Sequence, residues 1–149
     1  MAEDKVKLPR SSYDELCKII MAYGRINQPA QLTHIVSVTG MGKTAISANN
    51  SFLSTIGVIE GGKYKTATPS GRELATALEH EIPEEISLKW RDIVENNEFL
   101  NKMVLAVNIR KSMQVTSFES HIAYSAGETK SKQVMTGARA VIDILRLTG

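Results

Sequence analysis

The chain has 149 residues, 42% hydrophobic and 23% charged, which excludes a disordered or collagen-like protein and leaves room for one ordinary domain or two very small ones. No apolar run approaches the roughly 18–20 residues needed to span a bilayer, and the charged start from Met1 to Lys7 has no apolar signal core, so a soluble, cytoplasmic protein with no membrane partner is expected. The net charge of +2 hides an uneven distribution: no acid lies between Glu15 and Glu60, and from Arg25 to Arg72 five basic residues (Arg25, Lys43, Lys63, Lys65, Arg72) stand against Glu60 alone.

Residues 1–10 read as a flexible lead-in. Ser11 or Ser12 then caps a helix whose first turn carries Asp14 and Glu15, with Leu16, Ile19, Ile20 and Tyr23 at helical spacing and Gly24 as its stop. Cys17 is the single cysteine and sits among the apolar positions of this helix; it is read as a buried structural thiol. Pro29 suits the first turn of a second helix, whose apolar positions are Leu32, Ile35, Val36 and Val38.

Gly40-Met41-Gly42 is a turn, and a third helix is predicted from about Thr44 to Ile56, ended by Gly57. At helical spacing Ala45, Ile46, Asn49, Phe52, Leu53 and Ile56 share one side. Thr44, Ser47, Ser51, Ser54 and Thr55 share the other, flanked by Lys43 and Asn50. Gly61-Gly62 between two short β-prone runs signals a hairpin, and a helix follows from Arg72 to about His80 with Leu74, Ala75 and Leu78 facing inward.

The acid-rich segment Glu81 to Glu85 reads as a linker broken at Pro83. A long helical stretch from Ile86 to about Met113 is interrupted near Asn96-Asn97, and two further helices are predicted over Ser117–Ala126 and Lys132–Leu147. Phe99, Leu100, Met103, Val104, Leu105, Val107 and Ile109 give the middle of this half more apolar surface than one small domain face needs, which suggests packing of the two halves or a homodimer.

The chain repeats itself. Thr33 to Gly40 is similar to Ser120 to Gly127, 87 positions on, and Phe52 to Gly57 falls on Ile144 to Gly149 at an offset of 92, the extra residues fitting the intervening turn. A helix–turn–helix–glycine pattern therefore occurs twice. The second copy reaches Gly149 where the first begins its hairpin, so its wing is expected to be absent or truncated.

Residues 12–80 resemble a winged helix-turn-helix domain. The resemblance rests on Phe52-Leu53-Ser54-Thr55-Ile56-Gly57-Val58-Ile59-Glu60, followed by Tyr64-Lys65-Thr66-Ala67-Thr68-Pro69-Ser70-Gly71-Arg72-Glu73-Leu74. It implies a mainly α fold with a small β-hairpin wing, arranged as two tandem units: a winged helix-turn-helix domain over 10–80 and a second winged-helix-like helical domain over 84–149. It further implies a third helix in the major groove of double-stranded DNA and a wing on the backbone. Carried over by position, the DNA-binding residues are Lys43, Thr44, Ser47, Asn50, Ser51 and Ser54 on the helix, with Lys63, Tyr64 and Lys65 on the wing. Hydroxyls and Asn bond phosphates or base edges, and lysines neutralise phosphates. The third helix departs from the pattern in having no Arg, and Asp143 stands where the first copy has Ser51. The second copy's own candidates are Lys130, Lys132, Thr136 and Arg139.

Other signals have simpler readings. Gly40-Met41-Gly42-Lys43-Thr44 looks like a phosphate loop, but Ser37 occupies the position that needs glycine, and no later strand supplies a magnesium-binding Asp. His34 and His121 lack paired carboxylates or Cys spacing, so no metal is expected. Trp90 reads as core, and the acids around Glu79, Glu81, Glu84 and Glu85 read as a solvated face rather than a catalytic pair. No catalytic residues and no cofactor are expected. The sequence points to a non-enzymatic DNA-binding protein, a transcriptional regulator or chromosome-associated factor. A protein-interaction scaffold on the same tandem fold is the alternative.

Overall fold

In a computed structural model, which describes residues 7–26, 28–110, 114–129 and 131–148, the chain is mainly α-helical with one small antiparallel hairpin. The first half runs α1 (Tyr13–Arg25), α2 (Leu32–Thr39), α3 (Lys43–Thr55), β1 (Ile59–Gly61), β2 (Lys65–Ala67) and α4 (Pro69–His80). Among its described residues the second half has only helices as regular elements: α5 (Pro83–Glu95), α6 (Glu98–Arg110), α7 (Val115–Ala126) and α8 (Lys132–Leu147). No helix among the described residues is long and apolar enough to cross a membrane.

α1 begins with a capping box: the Ser12 hydroxyl accepts from the Glu15 amide, and the Glu15 carboxylate accepts from the Ser12 amide. Its expected stop at Gly24 is displaced to Arg25. Gly24 stays helical because α4 crosses it; a Cβ there would lie 2.3 Å from the Cβ of Ala75. Glycine at this point serves helix–helix approach rather than termination. Pro29 likewise lies outside α2. The segment is held by Ala30, which exchanges backbone hydrogen bonds of 2.8 and 2.9 Å with Lys65 of β2 and so adds a one-residue third strand beside the hairpin.

α2 ends at Gly40, whose left-handed backbone (φ 73°) turns the chain into α3. Val38, assigned to the apolar positions of α2, is exposed; Ile35 is the fully buried one. α3 buries Ile46, Phe52 and Leu53, each contributing on the order of 1.5–3 kcal/mol of apolar burial. The hairpin pairs Ile59 with Ala67, Glu60 with Thr66 and Gly61 with Lys65, leaving Gly62, Lys63 and Tyr64 as its loop. Thr68 closes the base of the hairpin: its hydroxyl donates to the Gly57 carbonyl (2.6 Å) and accepts from the Gly71 amide at the start of α4 (3.0 Å).

Pro83 starts α5 rather than breaking a linker. A proline at the first helical position gives up only an N–H that has no intrahelical partner anyway, so just Glu81 and Ile82 separate α4 from α5. The expected interruption at Asn96-Asn97 is present between α5 and α6, and the Asn97 side chain accepts from the Leu100 amide at 2.9 Å. Residues 111–113 and the side chains of Val107 and Ile109 lie outside the described residues.

The lead-in is not loose where it is described. Leu8 is fully buried, Pro9 is buried, and the Arg10 guanidinium meets both carboxylate oxygens of Glu128 at 3.0 Å. The Arg10 amide donates to Asn49 of α3 (2.7 Å), and Asn49 in turn donates to the Ser11 hydroxyl (2.8 Å). Residues 8–11 thus form a strap that touches α3 on one side and the α7–α8 turn on the other. A Cβ at Gly137 of α8 would lie 1.8 Å from the Pro9 carbonyl oxygen, so the strap is seated directly on that glycine. One continuous cluster of buried residues joins the two halves. Trp90 of α5 belongs to it and donates its indole N–H to the Tyr13 hydroxyl of α1 at 3.1 Å.

Candidate functional site

The outward face of α3 is as the periodicity predicts. Lys43, Thr44, Ser47, Ser51 and Ser54 are all exposed, while Ile46, Asn49, Phe52 and Leu53 on the other side are buried. Gly42 provides no side-chain cap, so the first amides of α3 and the Lys43 ammonium share one exposed end. At the far end, the Asn97 side chain donates to the Thr55 carbonyl at 3.2 Å, which ties α3 to the second half.

The hairpin loop stands beside this face and encloses a groove of about 660 Å³. Six of the nine predicted residues meet there: Ser47, Asn50, Ser51 and Ser54 from α3, with Lys63 and Lys65 from the hairpin. Lys43 and Thr44 lie beyond it at the start of α3. Tyr64 also lies beyond it, on the hairpin loop, where its hydroxyl accepts a hydrogen bond from the Gln31 side chain just before α2.

Two of these residues differ from expectation. Lys65 was predicted to face phosphate, but its ammonium folds back onto the carbonyls of Gly61 (3.2 Å) and Gly62 (2.7 Å) and stiffens the hairpin loop. Asn50 was predicted to flank the outer face, yet it is only 5% exposed, and its Oδ1 is buried with no hydrogen-bond partner among the described residues. The reason is the hairpin and the chain before α2, which wall in the side of α3 that an isolated helix would leave open. Beside Asn50 lies Tyr23 of α1, whose hydroxyl burial pushes above its usual range, an effect the Asn50 side chain partly offsets. Tyr23, Ala30, Leu32, Gly61 and Gly62 complete the groove. Their part was not foreseen, because it depends on the Ala30–Lys65 pairing across 35 residues of chain, which no local pattern reveals.

Of the five cations from Arg25 to Arg72, three are engaged, Lys65 among them through the hairpin-loop carbonyls. Arg25 pairs with Glu79 at 3.0 Å, and Arg72 donates to the Ile26 carbonyl (3.3 Å) and to the Thr66 hydroxyl (3.1 Å). Lys43 and Lys63 make no ion pair among the described residues and are exposed.

The corresponding face of the second half is different. Arg139 sits 3.7 Å from Asp143 and 3.8 Å from Glu119, and the Thr136 hydroxyl bonds back to the Lys132 carbonyl at 3.0 Å. Lys132 is exposed, and Lys130 lies outside the described residues.

Cys17 is buried, and burial, partly offset by the Tyr13 side chain, pushes its thiol up to about 11. Among the described residues no group of three or more His, Cys, Asp or Glu is placed to hold a metal ion. His34 and His80 are exposed, and His121 stacks against Phe118 with ring centroids 6.4 Å apart. Comparison with protein-family models, with curated proteins and with solved structures finds no match to this chain.

Proposed function

We propose that this is a non-enzymatic, double-stranded-DNA-binding protein built on two tandem winged-helix-like units, acting as a transcriptional regulator or chromosome-associated factor. The observation that carries this reading is the exposed hydroxyl face of α3 standing beside a projecting hairpin, with the free cations Lys43 and Lys63 at the two ends of the surface. The third-strand pairing of Ala30 beside the hairpin supports a winged arrangement of the first unit. In this reading α3 enters the major groove, Ser47, Ser51 and Ser54 bond phosphates or base edges, and Lys63 meets the backbone.

Among the described residues Lys43 and Lys63 are the lysines of this surface without an ion pair, so binding releases few counterions. The logarithm of the affinity should fall with the logarithm of salt at a slope of about −2, since each neutralised phosphate contributes roughly −0.9. Lys43→Glu with Lys63→Glu should weaken binding of a random-sequence duplex about tenfold or more in a salt-titrated anisotropy assay. Equal affinity in the double variant removes α3 and the hairpin from any DNA interface. Lys65 is the wrong residue for this test, because Lys65→Glu would also loosen the hairpin loop it holds.

A second reading, a protein-interaction scaffold on the same fold, is favoured by the engaged cations and by exposed apolar side chains on the second half. Tyr124 is 84% exposed and Leu105 52%. A homodimer through α6 is one form of this reading. Sedimentation of the full chain with and without Leu105→Glu tests it: a species of twice the chain mass that the variant abolishes supports a homodimer.

A further inference from the structure

The side chains best suited to reading bases are turned into the fold around α3. A carboxamide or guanidinium holds two hydrogen-bonding atoms in one plane and matches the edge of one base, which sets the right base apart from the wrong one by roughly tenfold or more. α3 carries two carboxamides, Asn49 and Asn50, and both are buried. Asn49 accepts from the Arg10 amide and donates to the Ser11 hydroxyl. Asn50 is turned toward Tyr23, with its Oδ1 closed off from the surface. The planar groups around the helix are engaged as well. Gln31 donates to the Tyr64 hydroxyl, Asn97 bonds the Thr55 carbonyl and the Leu100 amide, and Arg72 donates to the Ile26 carbonyl and the Thr66 hydroxyl.

The face that α3 does expose holds Thr44, Ser47, Ser51 and Ser54, with Lys43 at its start and Lys63 across the groove. A hydroxyl donates and accepts at one atom, so it bonds a phosphate or the edge of any base. Lys43 stands beside the uncapped first amides of α3, where a phosphate is the fitting partner, and an ammonium meets phosphate as a point charge. We propose that this surface binds double-stranded DNA irrespective of base sequence, held by its phosphates, so that its partner is bulk chromosomal duplex rather than an operator site. The inference rests on the duplex-binding reading above and narrows it to the chromosome-associated form. Phosphate contacts fix a protein's position on the duplex and carry no sequence information.

Repeated selection of duplexes from a random library by the full chain tests it, followed by anisotropy titrations with alternating A·T, alternating G·C and mixed-sequence duplexes of one length. The selected pool should keep the base composition of the library, and the three affinities should agree within about threefold. A recurrent motif, or one duplex bound about tenfold tighter than the others, overturns the inference and leaves the duplex reading standing. Binding of none of them overturns both. Ser47→Arg places a guanidinium on the exposed face near the start of α3, the part of such a helix that meets base edges. It should create a preference of about fivefold or more for the G·C duplex over the A·T duplex. An equal rise in affinity for every duplex also overturns the inference, because selectivity would then not depend on which side chains α3 presents.

Discussion

The helix pairs α2–α3 and α7–α8 turn the same corner. Gly40 and Gly127 cap the first helix of each pair with φ of 73° and 76°, and Ile35 and Ile122 beneath them are both fully buried. The second helices then diverge. At the aligned positions α3 has Ala45, Asn49 and Ser51, where α8 has Gly137, Val141 and Asp143. α3 starts on an uncapped Gly42, whereas α8 starts on Ser131, whose hydroxyl accepts from the Val134 amide at 3.2 Å. α8 thus gives up its surface to the strap and to its own ion pairs, while α3 keeps a hydroxyl face and a groove free. A repeated frame does not imply a repeated site.

That contrast can be broken at the residues that differ. Gly137→Ala gives α8 the residue that α3 carries at the same place, but drives a methyl group into the Pro9 carbonyl. A loss of about 3 kcal/mol is expected in chemical denaturation. Glu128→Gln removes the charge that holds Arg10 and should cost about 2 kcal/mol, with little dependence on salt because both side chains are largely covered. Asn49→Val copies the α8 residue into α3. It strands the Arg10 amide and the Ser11 hydroxyl, and a cost of about 1.5 kcal/mol follows from the unpaired groups.

Surface charge sharpens the comparison further. Lys132→Glu with Arg139→Glu on α8 should leave duplex affinity within twofold, against the tenfold loss expected for the Lys43 and Lys63 pair, in the same anisotropy assay. The last test concerns the seam between the halves, where Cys17 stands one turn along α1 from Tyr13, the residue that meets Trp90. Its folded thiol ionises near 11, against 9.0 for the ordinary thiol. The neutral form is favoured in the fold, so this contribution is fully present below pH 9 and is lost as pH rises through 11. Between pH 9 and 10 the loss amounts to about 1 kcal/mol, and Cys17→Ala should make the alkaline limb of the stability profile shallower.

Helices with a strong apolar period were legible in the sequence. α3 was placed within one residue at each end, α8 matched its expected bounds, and the pause at Asn96-Asn97 was found because two polar residues interrupt an otherwise apolar rhythm. Gly24 and Pro83 were misread for a shared reason. A glycine is a stop or a close approach, and a proline is a break or a first turn, according to what packs nearby, which the local sequence does not contain. In the candidate site, the exposed serines followed from periodicity alone. Lys65 and Asn50 did not, because the loop that captures one and the hairpin that covers the other are tertiary features. Leu8 reads as part of a loose end in the sequence, since its partners lie more than a hundred residues away in the α7–α8 turn and in α8.

That last separation bears on how the chain is made. The strap is synthesised about 120 residues ahead of Glu128, which accepts from both the Leu8 amide and the Arg10 guanidinium. A nascent chain that has completed only α1 to α4 leaves Leu8 bare and Arg10 without its carboxylate. At a synthesis rate of roughly 5–20 residues per second, the first half waits several seconds for α7 and α8 before its own opening segment can dock. The interval leaves an apolar residue open to chaperones, and docking of the strap is a late, long-range step that closes folding rather than starting it.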